Sequence, residues 1–418
     1  MYHYKSKTAS LATLYLLSVT LILSGCYATT GSSLSGGSAT AVGPESSSRI
    51  ITASEKQSLS VRAIQKEFEV IVPVFNPNIP ANTSTWEKKG IWPELRRVES
   101  IDFALKMKKA LEDTNQLGAV RVSPDQKVAG DLYVIGTIQE SNGENVEINI
   151  KVIGIDGKSW LNKNYKHRVD EYFYTSARNQ GKNSYDPVFE QAAADIVKQL
   201  RSKDRSYLAE LNRLTEVRFA YSMSDESFEQ FLKFRGNRVE LVQAPADNDP
   251  MFKRIHQYRV EDQLFTDKMQ QYYYDFDQKV GKSYKSWQEA AFSASKARRE
   301  AKSKATWQAL AGILAIGLGA VAASNSNNNS VGTVASVGAI TAGAVLLSSG
   351  VQNYKESKFH HETLMELGKS VDIEVAPQVI EFEERTIKLT GDATAQFNQW
   401  RAALRRIYAE EQTPEIQL

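Results

Sequence analysis

Between Lys304 and Lys355 the chain runs for 50 residues, Ala305 to Tyr354, without one charged side chain, although charged residues make up 24% of the whole. A solvated surface is not built from such a stretch, so protein or lipid must cover it. The polar run Ser324 to Ser330, SNSNNNS, divides it into Trp307–Ala323, 17 residues, and Val331–Val351, 21 residues. That division predicts two helices joined by a turn. Ala311, Ala315, Gly319 and Ala323 fall on one four-residue row, and Ala335, Ala339 and Gly343 on another; rows without bulk let two helix backbones approach closely. The expectation is an apolar Gly/Ala-rich helical hairpin within 304–371. Lys296, Arg298, Arg299, Lys302, Lys304 and Trp307 precede or open it, and Tyr354, Lys355 and Lys358 close or follow it. Cations and aromatics so placed, above all Lys302, Lys304, Trp307, Tyr354, Lys355 and Lys358, suit an interface with anionic lipid headgroups. Seventeen residues reach about 25 Å as a helix against a hydrocarbon core of about 30 Å, so the first arm is slightly short for a full span and a partly inserted or re-entrant path is open to it. Six alanines and three glycines dilute Leu310, Ile313, Leu314, Ile316, Leu318 and Val321 in the first arm. The same stretch therefore also fits a seam buried inside the protein or between copies of it, and both outcomes stand.

The N-terminus carries a second apolar signal. Lys5 and Lys7 precede an almost purely apolar run from Leu11 to Leu23, followed at once by Leu23-Ser24-Gly25-Cys26. This is the three-part layout of a secretory signal, its apolar run too short at 13 residues to be a permanent span. Leu-Ser-Gly-Cys resembles the lipobox of bacterial lipoproteins, and the chain's only cysteine stands where that pattern requires it. The resemblance implies cleavage after residue 25, with Leu23, Ser24 and Gly25 recognised by the signal peptidase, and acylation of Cys26 by two or three chains such as palmitate. More than one chain gives stable anchoring where a single chain is marginal. In these lipoproteins an aspartate after the cysteine often marks inner-membrane retention, and here that position is Tyr27. The implied location is the Gram-negative outer membrane, facing the periplasm. Of the 28 residues from Tyr27 to Ser54, 21 are Gly, Ser, Thr, Ala or Pro, so residues 26–60 are expected as acylated cysteine and flexible tether, with a reach of about 30 Å.

A small α/β sandwich is expected over 61–203. FEVIVPVF (Phe68 to Phe75) is a well-buried strand; Glu94 to Glu112 places Leu95, Val98, Ile101, Leu105 and Leu111 on a helical stripe; Leu117 to Val122 is extended again. DLYVIGTI (Asp131 to Ile138) is a buried run, Val146, Ile148, Ile150 and Val152 alternate with polar residues, and Leu161, Tyr165 and Val169 share a parity after the turn dipeptide Asp156-Gly157. An amphipathic helix with Phe189, Ala192, Ala193, Ile196, Val197 and Leu200 closes the unit. "VIVPVF", the helix into "AVRV", and "AGDLYVIGTI" before a meander resemble the periplasmic domain shared by curli-secretion-channel lipoproteins, outer-membrane activators of penicillin-binding proteins and the N-terminal domain of TolB. The resemblance covers about a third of the chain and implies an envelope interaction module. The pair of long amphipathic strands that builds the curli pore has no counterpart here. The rows of 305–354 in turn resemble a glycine-zipper hairpin.

Residues 204–303 are expected to be helical. Ser224-Asp225 starts and Gly236 stops a short helix carrying Phe228, Phe231, Leu232 and Phe234. After Asp249-Pro250 a long stripe follows at three- and four-residue steps: Phe265, Met269, Tyr272, Phe276, Val280, Tyr284, Trp287, Ala291 and Ala294, with Gly281 its weak point. It suits a helix packed on its own domain or a coiled-coil contact. Residues 372–418 are expected as a β-β-α piece, with strands around Glu383-Glu384-Arg385, Asp392 as N-cap, and Phe397, Trp400, Leu404 and Ile407 on one helix face. Glu381, Glu383, Glu384, Arg401, Arg405 and Arg406 are expected on solvated faces.

The chain is α+β throughout and carries no catalytic signature. No phosphate-binding, dinucleotide, nucleophile-elbow or zincin motif occurs, and His361-Glu362 lacks the second histidine. One cysteine and five histidines (His3, His167, His256, His360, His361) exclude a disulfide framework and a Cys/His zinc site. His167 lies on the apolar parity of its strand, where it suits a satisfied, partly buried ring, and carboxylates such as Asp125 and Asp131 are the remaining material for a site. A net charge of +2 from 51 basic and 49 acidic residues excludes a nucleic-acid binder driven by bulk charge. No cofactor, no metal and no enzymatic activity are expected. The functional expectation is a membrane-anchored scaffold or assembly lipoprotein with an envelope protein partner and a capacity to form homo-oligomers. The alternative is an accessory or pore-forming component of an outer-membrane secretion system.

Overall fold

The strand Val70–Pro73 (β1) is buried at all four positions, as an apolar run without polar alternation requires. It belongs to a computed structural model that describes residues 68–86, 91–246, 248–300, 364–369, 373 and 375–412. All of these fall within one unit, Thr52–Leu418, the other being Met1–Ile51. The signal peptide, Cys26 with Leu23, Ser24 and Gly25, the tether, the small-residue rows and the interface candidates from Lys302 to Lys358 lie outside the described residues. Among the described residues no helix is long and apolar enough to cross a membrane.

Pro93–Asp113 (α1) follows β1, opened by a proline in its first turn where the missing N–H is harmless. Val120–Ser123 (β2) then pairs in parallel with β1, and Leu132–Ser141 (β3) pairs in parallel with the other edge of β1. Asn145–Gly154 (β4) and Ser159–Arg168 (β5) continue antiparallel, giving the order β2-β1-β3-β4-β5. The turn between β4 and β5 uses Gly157 at φ +79°, as the Asp-Gly dipeptide anticipates. Asp186–Arg201 (α2) packs against α1 and over β4 and β5. Its buried residues are Val188, Phe189, Ala192, Ala193, Ile196, Val197 and Leu200, the stripe expected from spacing. Phe103 of α1 meets Phe75, Tyr185 and Phe189 edge-on. Gly136 of β3 admits the Phe75 ring: a Cβ there would stand 2.2 Å from it.

Arg205–Met223 (α3) and the single turn Asp225–Phe228 (α4) follow. The expected short helix does not continue to Gly236. Leu232–Arg235 (β6) and Arg238–Leu241 (β7) instead form an antiparallel hairpin about Gly236-Asn237, with Gly236 at φ +60°. Leu232 and Phe234, two residues apart, share one strand face, Leu232 buried at its start and Phe234 46% exposed further along, so strand spacing prevailed where three- and four-residue spacing fitted equally well.

Pro250–Glu300 (α5) is one helix of 51 residues, about 76 Å at 1.5 Å per residue. Asp249 caps it, accepting the Phe252 N–H at 3.1 Å. Phe265, Met269, Phe276, Val280, Tyr284 and Ala291 of the stripe are buried, with Tyr272 and Trp287 partly so. Gly281 faces open space and leaves the helix unbroken. The stripe packs on its own unit, against β2, α1, α3 and the C-terminal helix. Gln378–Phe382 (β8), Arg385–Leu389 (β9) and Ala393–Gln412 (α6) form the expected β-β-α piece. The tight turn holds Glu383 and Glu384 at φ +46° and +58°, and Asp392 caps α6 through the Ala395 N–H at 2.8 Å. Phe397, Trp400, Leu404 and Ile407 are buried, and α6 packs on α3 and α5.

Candidate functional site

α1 is buried on several sides, and with it the charged residues Arg96, Glu99 and Asp102. They recur at three-residue steps, and Glu99 among them meets the distal half of α5. Glu99, fully buried, accepts a hydrogen bond from Tyr284 Oη at 2.8 Å and another from Ser141 Oγ. Arg96 Nε stands 3.7 Å from its other oxygen. Burial raises the Glu99 carboxyl above the usual carboxylate range, against the pull of Arg96 and the two hydroxyls. Tyr185 Oη receives the Gly143 N–H at 2.7 Å. Gly143, at φ +86°, lets the β3–β4 turn touch α5: a Cβ would lie 2.5 Å from Ala291 Cβ. Asp102 pairs with Lys106, and burial raises it too.

A second polar cluster joins the proximal half of α5 to the sheet. Glu69 accepts from Arg121 (3.1 Å), Arg259 (2.8 Å) and Gln263 (2.6 Å), and Arg121 also forks onto Asp267 at 2.5 and 3.0 Å. Gln270 receives the Val122 N–H and donates to the Val122 carbonyl, both at 2.9 Å. One helical side chain thereby occupies the open edge of β2, which would otherwise present unpaired backbone groups. Asp131 is 2% exposed; its oxygens accept the Glu69 N–H at 2.8 Å and the Thr215 hydroxyl at 2.5 Å. Burial pushes its carboxyl up to about 6.

The third contact corrects the sequence reading. Arg401, expected on a solvated face, is buried and pairs with buried Asp262 at 2.8 Å, donating also to Ser222 Oγ at 2.9 Å and lying over the Phe219 ring. α6 delivers the guanidinium into the wedge between α3 and α5, where the Asp262 carboxylate balances its charge. Glu381, Glu383, Glu384, Arg405 and Arg406 are exposed as expected.

These clusters hold helices together. Asp125 and Asp131 do not converge: the Asp125 carboxylate serves the Lys127 N–H at 2.8 Å, and Asp131 is enclosed. His167 is half-buried, and burial lowers its pKa. His256 packs edge-on against Phe252 at 4.7 Å; His3, His360 and His361 lie outside the described residues. Among the described residues no three His, Cys, Asp or Glu are grouped to hold a metal. An open groove of about 540 Å³ runs between α1 and α5, lined by Leu105, Lys108, Lys109, Gln271 and Tyr274 among others. Its lysines are engaged with carboxylates one turn on, Lys108 with Glu112 and Lys109 with Asp113. Sequence reasoning missed Arg96, Glu99 and Asp102, because charges at helical spacing ordinarily mark a solvated face and nothing local shows that α1 buries a second one. Comparison with known proteins finds no matching family model, curated protein or solved structure.

Proposed function

We propose that this chain is an acylated outer-membrane lipoprotein that acts without catalysis as an envelope scaffold, holding a protein partner at the membrane. In this reading the sheet with α1 and α2 is a small α/β sandwich facing the periplasm, and 304–371 is an apolar helical hairpin that inserts in the membrane or oligomerises at it. The observation that carries the reading is Leu23-Ser24-Gly25-Cys26, with the sole cysteine after an apolar run. The strand patterns resembling the curli-channel, activator and TolB domains support an interaction module. The 50 uncharged residues support membrane association.

Alkaline carbonate extraction of envelopes tests it. Cys26→Ala behind a replacement signal peptide is compared with the same chain lacking 305–354, and palmitate labelling is followed in the wild type. Labelling that depends on Cys26, with the Cys26→Ala protein retained and the deletion released, supports both anchors. Release of both unacylated proteins leaves the acyl chains as the only anchor and 305–354 as core or oligomer seam. Absence of labelling overturns the lipoprotein reading. The uncharged stretch also favours the second reading, a pore-forming secretion component, which requires discrete bilayer conductance steps lost on deletion of 305–354.

A further inference from the structure

The sheet fixes two ends of the unit. β1 and β3 run parallel, so Phe68, Asp131 and the β4–β5 turn share one end, and the β3–β4 turn at Asn142–Glu144 marks the other, about 30 Å away along the ten residues of β3. The last turns of α5 belong to the Asn142 end: Ser295 Oγ donates to the Asn142 carbonyl at 3.1 Å, and Ala291 touches Gly143. Gly368 belongs there too, because Arg97 at the start of α1 donates to its carbonyl at 3.0 Å and a Cβ on it would meet the Glu94 carbonyl at 2.2 Å. Both described flanks of 301–363 are therefore at one end of the unit, opposite the end at which the chain enters β1.

The loop Asp170–Lys182 shares that end. Tyr174 packs on Phe292 at 5.3 Å, Glu171 pairs with Lys296 at 2.5 Å, and Asn183 bonds Gln288 at 3.2 Å. Pinned so, the loop turns Tyr172 outward at 69% exposure, the most exposed large apolar residue among the described ones. Arg178 and Lys182, six and ten residues on, are exposed; of the two acids that precede the ring, Asp170 accepts the Tyr172 N–H at 2.9 Å and Glu171 is held by Lys296, so with Lys296 this patch sets three cations against two carboxylates. An amphipathic ring accompanied by cations on a rigidly backed loop has the chemistry of a headgroup contact.

We propose that the loop Asp170–Lys182, through Tyr172, Arg178 and Lys182, is a contact surface for an anionic lipid bilayer, set at the end of the unit that faces the membrane when 305–354 engages it. This rests on the membrane-association reading above. It adds an orientation: the Asn142 end faces lipid and the β6–β7 hairpin, tied by Val239 N–H to Asp156 at 3.0 Å, faces away.

Hydrogen exchange on the whole protein as purified from envelopes, bound to phosphatidylethanolamine vesicles with or without phosphatidylglycerol, reads three regions at once. The loop carries amides that report on it, among them Phe173 to Asp170 and Ser176 to Tyr172, both 3.0 Å. The expected result is slower exchange in 170–182 and in 305–354 on anionic vesicles, with 232–241 unchanged. Slowing of 305–354 with 170–182 unchanged overturns this inference and leaves the parent reading standing. If neither slows, both fall; if 232–241 slows equally, the orientation is wrong. In a Cys26→Ser chain, Tyr172→Ser with Arg178→Ser and Lys182→Ser, all exposed, lowers partition onto the anionic vesicles by about tenfold or more, each cation contributing roughly a factor of five. Unchanged partition overturns the proposal.

Discussion

Asp131→Asn separates a buried carboxylate that opposes folding from one that assists it. The side chain is 2% exposed, its Oδ2 held by the Glu69 N–H at 2.8 Å and its Oδ1 by the Thr215 hydroxyl at 2.5 Å. Burial outweighs both bonds and lifts the carboxyl from 3.8 to about 6. Because the folded value lies above the unfolded one, this group's contribution to stability is fully present below about 3.8 and is lost as pH rises through about 6. The gap between those values corresponds to about 3 kcal/mol. Asparagine imitates the protonated form. Thr215 Oγ1 also lies 3.0 Å from the Leu211 carbonyl, so its hydroxyl can donate there and accept from the new amide. Urea unfolding followed by tryptophan fluorescence, run from about pH 4 to about pH 7.5, is expected to show Asp131→Asn more stable by up to about 3 kcal/mol at the upper end and equal to wild type at the lower. Asn that destabilises by the same amount at every pH would refute the reasoning, because the ionised carboxylate would then be well solvated by its two donors.

Two further substitutions probe the seams of α5. Gln270→Ala strips both partners from Val122 and is expected to cost about 2 kcal/mol, with the Val122 amide exchanging faster than its neighbours in β2; unchanged exchange there would show that the edge is protected by another group. Arg401→Met leaves Asp262 buried without its cation and is expected to cost about 3 to 5 kcal/mol in urea unfolding, whereas Arg401→Met with Asp262→Leu recovers most of the loss. A double variant as unstable as the single would mean that the pair is needed for packing shape rather than charge balance.

The strands of the sheet were legible because their signal is local. A run such as VIVP, or the alternation of Val146, Ile148, Ile150 and Val152, declares its face within a few residues, and each is buried. The β6–β7 hairpin was not, since Phe228, Phe231, Leu232 and Phe234 satisfy a helical spacing while Leu232 and Phe234 also satisfy a strand. The Gly236-Asn237 turn at φ +60° decided between them. The seams were hidden for a different reason. Glu99 is matched by Tyr284, 185 residues away, and Arg401 by Asp262, 139 away; alone, each charge belongs on a solvated face, and only a distant partner makes burial tolerable.

That distance also explains how a 50-residue uncharged stretch can sit between α5 and the C-terminal piece without dividing the unit. α6 packs on α3 and α5, and Arg401 reaches back to Asp262, so the contacts that close the unit join residues before the stretch to residues after it. Both flanks, the last turns of α5 and Gly368, meet the same end of the sheet and α1. Deleting 305–354 therefore removes no contact described between α1, α3, α5 and α6 and asks only for a linker at one end. The deleted protein is expected to keep the cooperative urea transition of the whole chain, which makes its release from or retention in envelopes a statement about the membrane. A deletion that unfolds the unit would instead place 305–354 within its core, and the buried-seam alternative would follow directly.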